Sequence, residues 1–169
     1  AEAGEIKSWA DFFALRDKGK KITMLDDLRE TIGVALIMNG HSVNTTDSDE
    51  LKQAEAWLLE RKDKVSAYSY DIVSLVQSGD IAAAHWYVGA TLYTLEEPDK
   101  LGFVIPEEGA TMYQEDICVL DTAPNKDSAI RFMEFYMQPE MAALNTVQQV
   151  NGTANMPARD LLSPELKAN

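Results

Sequence analysis

Hydrophobic and polar positions switch between two periods along this chain. Lys21 to Leu25 is a short, almost continuous apolar run that reads as a buried strand. It leads straight into Asp26 and Asp27, either of which can cap a helix with its side-chain oxygen. Leu28, Ile32, Ala35 and Leu36 then recur at helical spacing and predict the core face of that helix. Gly40 stands where a left-handed terminating residue is wanted.

The same alternation continues on both sides. Ser8 to Phe13 predicts a short capped helix with Trp9 as a packing residue. Asp47 and Glu50 have the spacing of a capping box, and Leu51, Ala54, Leu58 and Leu59 mark a buried helical face with Trp57 on or beside it. Val65 to Tyr70 predicts a strand, Ile72 to Gln77 a short helix ended by Gly79, and Ile81 to Trp86 a buried strand central to a parallel sheet. Tyr87 to Leu95 is ambiguous, and Glu96 to Asp99 is a turn. Gly102 to Pro106 and Met112 to Leu120 read as further strands. Lys126 opens a long helix whose Ala129, Phe132, Met133 and Tyr136 share a face. After Pro139 that face continues through Met141, Leu144 and Val147, and past Asn151-Gly152 the tail reads as loop, punctuated by Pro157 and Ser163-Pro164. The repeated strand-helix-strand order predicts an α/β fold.

Composition narrows the function. With 46% hydrophobic and 25% charged residues the 169-residue chain is globular rather than disordered. Its 15 basic and 28 acidic residues give a formal charge of −13, which argues against nucleic acid or an anionic membrane as partner and favours cations. The single cysteine, Cys118, excludes an internal disulfide and reads as core. No apolar run is long enough for a membrane span. The first residues lack the basic start and apolar middle of a signal peptide, and the absent initiator Met suggests a processed or shortened chain.

Candidate chemistry gathers on acids. Asp27 and Glu30 lie three apart on one helical face at the carboxyl edge of the sheet, where open α/β folds hold ligands. The spacing suits a capping box and equally a clasp for an ammonium group. Trp86 ends a strand at the same edge, and an indole beside carboxylates favours an alkyl-ammonium by roughly 0.5–2 kcal/mol; a plain core tryptophan is the other reading. Glu115 and Asp116 interrupt an apolar strand, so one should be exposed and the other should meet a cation or donors; Asp116 is the choice for the site. His41 and His85 are far apart, with His85 reading as a satisfied core residue. The sequence holds no phosphate loop, His/Cys metal cluster or nucleophile elbow, so no catalytic residue, metal or cofactor is implied. A hydrolase built on Asp27, Glu30 or Asp116 would lack an activating group. A purely structural domain whose acids only cap helices is a third reading.

Met24-Leu-Asp-Asp-Leu-Arg-Glu30, Gly40-His-Ser-Val-Asn-Thr-Thr-Asp47, the strand ending in Trp86, the Asp116 strand and Pro157-Ala-Arg-Asp-Leu-Leu-Ser-Pro-Glu165 together resemble spermidine/putrescine-binding proteins of polyamine ABC importers. The resemblance runs in one order through nearly the whole chain. It implies a type 2 periplasmic-binding-protein fold, with a mostly parallel sheet flanked by helices and then a helical C-terminal segment. It implies a non-enzymatic, periplasmic or otherwise extracytoplasmic protein, with lipid anchoring left open, that binds a polyamine and delivers it to an importer permease. Asp27 and Glu30 match the amine-binding acids, Trp86 a boxing aromatic and Asp116 a further acid, with Ser69 and Tyr70 also within the implied site. The pattern departs at Gln114, where the family has a tryptophan and Tyr113 is the nearest aromatic, and near Asn151, where an aromatic is expected. Which polyamine is bound therefore stays open, as does another organic cation.

The resemblance also implies that residues 1–116 correspond to the second lobe of a two-lobed clamshell, and residues 117–169 to a segment that returns to the first. The first lobe is missing, so the expectation is a fragment. A half site should bind with millimolar affinity or weaker, because contacts of about 1–2 kcal/mol each are offset by several kcal/mol of association entropy. The face of Phe132, Met133 and Tyr136 is then expected to pack elsewhere or to self-associate.

Overall fold

The computed structural model describes residues 6–90, 97 and 99–167, and the chain falls into two compact units, Ala1–Met112 and Tyr113–Asn169. The first unit runs α1 (Trp9–Ala14), β1 (Ile22–Met24), α2 (Leu28–Met38), α3 (Ser48–Arg61), β2 (Ala67–Tyr68), α4 (Val73–Gln77) and β3 (Ala83–Ala84). Short helical turns at Lys62–Lys64 and Val88–Ala90 follow α3 and β3. The strands form one sheet in the order β2-β1-β3, and both pairings are parallel. The α/β class expected from the sequence is thus the one found.

The central strand is β1, not the Ile81–Trp86 run expected there. Both ladders close on it: Ser66 and Ser69 amides donate to the Ile22 and Met24 carbonyls, and the Ala82 and His85 amides donate to Lys21 and Thr23. Composition marks a strand as buried, but the ladder partners decide its place, and Ile22, Thr23 and Met24 are the residues enclosed on every side.

Around β1 the core is aromatic. Trp9, Phe12, Phe13 and Leu15 of the α1 region pack with Ile22, Met24 and Val34. The rings meet edge to face, Trp9 on Phe12 at 5.7 Å, Phe12 on Phe13 at 5.2 Å and Phe13 on Trp57 at 5.2 Å. Burying side chains of the size of Ile22 and Met24 contributes about 1.5–3 kcal/mol each. Helix α2 joins this cluster through Val34 and Met38. It ends in a Schellman arrangement, with the Gly40 amide donating to Ile37, the His41 amide donating to Leu36, and Gly40 at φ +75°.

Helical spacing located these faces only in part. Leu28 is 83% exposed because it occupies the first turn of α2, ahead of the buried Thr31, Val34, Ala35 and Leu36. Leu51 and Leu59 are likewise exposed, since α3 rests on α2 through a narrow stripe of Ala54, Trp57 and Leu58 against Ile32, Ala35 and Leu36.

Residues 106–111 strap the first unit together. The Glu107 amide donates to Lys7, the Trp9 indole N–H donates to Gly109, and Glu108 accepts the Trp9 and Ala10 amides at 2.9 and 3.3 Å. Glu108 and Ser8, which accepts from Asp11, thereby satisfy three of the orphan donors at the start of α1. Neither 102–106 nor 112–120 carries a strand ladder among the described residues; neither has the hydrogen-bonded neighbour that a strand requires.

The second unit contains α5 (Lys126–Tyr136), α6 (Pro139–Gln149), α7 (Met156–Asp160) and α8 (Pro164–Lys167). Its core is Ala142, Ala143, Ala158 and Leu162, with Leu166 against them. Leu144 and Val147, expected inside, point outward, because α6 turns its small residues rather than its large ones to α7. Helix α5 buries none of its residues, and Phe132 and Phe135 are about half exposed. Cys118 is exposed rather than core, as are both Glu115 and Asp116, so the acids cost that segment no desolvation. The tail forms two short helices where loop was expected, Asn155 capping α7 through the Ala158 amide at 3.1 Å. Of the expected turn at Glu96–Asp99, positions 96 and 98 lie outside the described residues, as do positions 91–95 of the ambiguous stretch before it.

Candidate functional site: a carboxylate at three strand tips

Parallel pairing puts the carboxyl ends of all three strands on one edge. Leu25-Asp26-Asp27 leaves β1, Ser69-Tyr70 leaves β2, and His85-Trp86-Tyr87 leaves β3. At this edge Asp27 is the N-cap of α2, its Oδ1 accepting the Glu30 amide at 3.0 Å. Its Oδ2 accepts two phenol hydroxyls, Tyr70 at 3.2 Å and Tyr87 at 3.1 Å. One side chain therefore ties together a helix start and the tips of both flanking strands.

The electrostatics follow from those bonds. The Glu30 amide, with the Tyr87 and Tyr70 hydroxyls behind it, holds the Asp27 carboxyl below the usual carboxylate range, against a smaller opposing effect of burial. Loss of solvent pushes the Tyr87 phenol well up, and the neighbouring Asp27 carboxylate adds to the shift. The Tyr70 phenol is raised too, by loss of solvent and the Asp27 carboxylate, against the lowering effect of a hydrogen bond with Tyr87. All three groups therefore hold fixed protonation states at neutral pH, two donors and one anion.

Trp86 is partly buried rather than sealed in the core, and its ring lies 6.4 Å from Tyr70 and 5.9 Å from Tyr87. The Tyr70 and Tyr87 rings thus connect the indole to Asp27. Glu30 takes a different partner from the one a closed capping box supplies: its Oε2 accepts the hydroxyl of Thr111 at the end of the strap. Ser69 turns inward to the chain, its Oγ accepting the Asp71 amide at 2.9 Å while its own amide donates to Met24. Asp116 belongs to the second unit, where its Oδ1 accepts the Gln114 side-chain amide at 2.9 Å. Among the sequence candidates, then, Asp27, Glu30, Tyr70 and Trp86 are linked at one edge of the first unit, and Ser69 sits on the same β2 tip.

Two members of this network escaped the sequence. Tyr87 lies in the stretch that read as ambiguous, and Thr111 sits 81 residues from the acid it serves. A tyrosine next to a strand-tip tryptophan was the available signal for the first; the second has no local signature. His85, one residue before Trp86, is buried against Trp9 at 5.1 Å between ring centres, but its Nδ1 has no hydrogen-bond partner, contrary to the satisfied core histidine expected. Burial lowers its pKa to about 4 despite the opposing charge of Asp27, so it is neutral at pH 7. Among the described residues no group of His, Cys, Asp or Glu is arranged to hold a metal.

Comparison with known proteins assigns the chain to a family. The family described as bacterial extracellular solute-binding protein matches residues 1–169. The putrescine/cadaverine-binding protein of Pseudomonas aeruginosa is 30% identical over 169 residues, covering 94% of this chain and 48% of that protein. The spermidine/putrescine-binding periplasmic protein of Escherichia coli is 29% identical over 164 residues, covering 95% and 46%. The crystal structure of a spermidine/putrescine ABC transporter substrate-binding protein from Streptococcus pneumoniae superposes with a TM-score of 0.78 at 27% identity, over 97% of this chain and 51% of that one. The chain belongs to the bacterial extracellular solute-binding protein family, a class of binding components rather than enzymes. It spans about half the length of the relatives it matches.

Proposed function

We propose that this chain is part of an extracytoplasmic solute-binding component of an ABC importer, and that it supplies one side of a polyamine site. The relatives named for putrescine, cadaverine and spermidine support the ligand class, and an importer permease is the matching partner. In this reading residues 1–116 act as the second lobe and 117–169 as the segment that joins the first. Asp27 and Glu30 are the acids for ligand amines, Trp86 packs the methylenes, and Tyr70 and Ser69 border them. Asp116 is a further acid, proposed on the family resemblance.

The observation that carries this reading is the ionised Asp27 carboxylate at the strand edge, linked through two tyrosine rings to a half-buried indole. A carboxylate pairs with an ammonium by charge-assisted hydrogen bonds, and an indole face adds about 0.5–2 kcal/mol for an alkyl-ammonium. The relatives are binding components of transporters, which favours this reading over a hydrolase.

Ligand-observed NMR of the 169-residue chain with spermidine, at fixed ionic strength, tests it. Saturable binding in the millimolar range, lost in Trp86→Ala and Asp27→Asn, is the expected result. Equal binding of spermidine and magnesium ion by the wild type and both variants would mean that only the net charge of −13 is being felt.

A further inference from the structure

Resting on the polyamine reading of the Asp27 edge, we propose that Tyr70 and Tyr87 are positioning residues that fix the Asp27 carboxylate for its ligand. A carboxylate offers about four acceptor directions. Three are filled inside the chain: the Glu30 amide on Oδ1 and the two phenols on Oδ2, at 3.0, 3.2 and 3.1 Å. The side chain is thereby held from three elements, α2 and the tips of β2 and β3. An aspartate that merely capped α2 would need only the first of these bonds and would keep its outer oxygen free to solvent and to rotation.

With both phenols in place, the anion's orientation is set before any cation arrives. Preorganisation of this kind moves the entropy of ordering the carboxylate from the binding step to the folding step. It also assigns Tyr87, and recasts Tyr70, as groups that act through Asp27. The remaining ionisable neighbours are Glu30 on α2, Asp26 just before it, whose charge is felt at Tyr70, and His85 on β3, which feels the charge of Asp27. His85 is neutral at pH 7, so the phenol hydroxyls are the donors that hold the outer oxygen.

The test uses Tyr70→Phe, Tyr87→Phe and the double variant, each of which keeps the ring beside Trp86 and leaves the Asp27 cap of α2 intact. The Asp27 side-chain carboxyl carbon is followed by NMR through an acid titration without ligand, and spermidine affinity is measured across the same pH range. In both single variants the Asp27 midpoint should move up toward the ordinary carboxylate value, furthest in the double variant. Affinity at pH 7 should fall about three- to tenfold per hydroxyl, and its acid limb should shift upward with the midpoint. If the double variant keeps the wild-type midpoint and affinity while Asp27→Asn abolishes binding, the positioning role is wrong. If the midpoint moves as stated but the wild type shows no spermidine-specific binding, the polyamine reading fails and the fixing of the carboxylate stands.

Discussion

Glu108 and Trp9 are 99 positions apart in the chain, and the Glu108 carboxylate accepts the Trp9 amide at 2.9 Å. A distant loop thus supplies an N-terminal cap to α1, the helix that carries the aromatic core. Glu108→Ala should destabilise the first unit by about 1 kcal/mol, the usual worth of a cap. Urea unfolding followed by tryptophan fluorescence measures it, and Glu108→Gln, which keeps an acceptor oxygen, should recover part of the loss.

Gly33 lies where α2 passes under the strap. A β-carbon there would stand 2.9 Å from the Thr111 Cγ2 and 3.8 Å from the Val43 Cγ1. Thr111 cannot turn aside freely, since its hydroxyl is bonded to Glu30. Alanine in a helix interior normally gains about 1 kcal/mol over glycine, whereas overpacking costs about 1–3 kcal/mol, so Gly33→Ala should be neutral to destabilising. In a Thr111→Ser background, which removes the methyl and keeps the hydroxyl, the same substitution should become stabilising. A double-mutant cycle by chemical denaturation reads the difference.

His85 makes stability depend on pH. Its pKa is about 4 in the folded chain against an ordinary value of 6.5, so the unfolded state binds the proton more readily between those values. Stability attributable to this residue is therefore full above pH 6.5 and falls as pH drops toward 4, by about 3 kcal/mol in all. Asp27, with its lowered pKa, adds a loss only at more acid pH, as it is protonated below the ordinary carboxylate value. Unfolding free energies at pH 7 and pH 4.5 should differ by less in His85→Gln than in the wild type; equal slopes would contradict the burial of a neutral imidazole.

Phe132 and Phe135 leave α5 with an exposed apolar surface, joined by Ile130 at 48% exposure. Such surface binds hydrophobic dyes and promotes association. The 169-residue chain should bind an anilinonaphthalene dye and sediment in a concentration-dependent way. Phe132→Ser with Phe135→Ser should reduce both while leaving the thermal unfolding of the first unit unchanged.

What could be read from the sequence was local. Asp27 before Leu28, Asp47 before Ser48 and Gly40 after Asn39 announce helix ends because the bonds involved span only two to five residues. Periodicity gave the helices but not their cover: Leu28, Leu59 and Leu144 fit an apolar face, and only the neighbouring element decides whether that face is enclosed. Strand order was hidden for a similar reason, since β3 is as apolar as β1 and lies at the side. At the site, Asp27, Glu30 and Trp86 stood out by type and position. Tyr87 and Thr111 owe their roles to partners 60 and 81 residues away; Tyr87 has a local cue in its place beside Trp86, and Thr111 has none.

Asp27, Tyr70 and Tyr87 each stand just beyond the end of a parallel strand, so the strand ladders set their spacing while the first turn of α2 holds the Asp27 carboxylate. Insertions or deletions in the crossovers beyond that first turn would leave the trio in register. New ligand preferences are open to exchange of side chains at the same three stations, on a frame that need not be rebuilt.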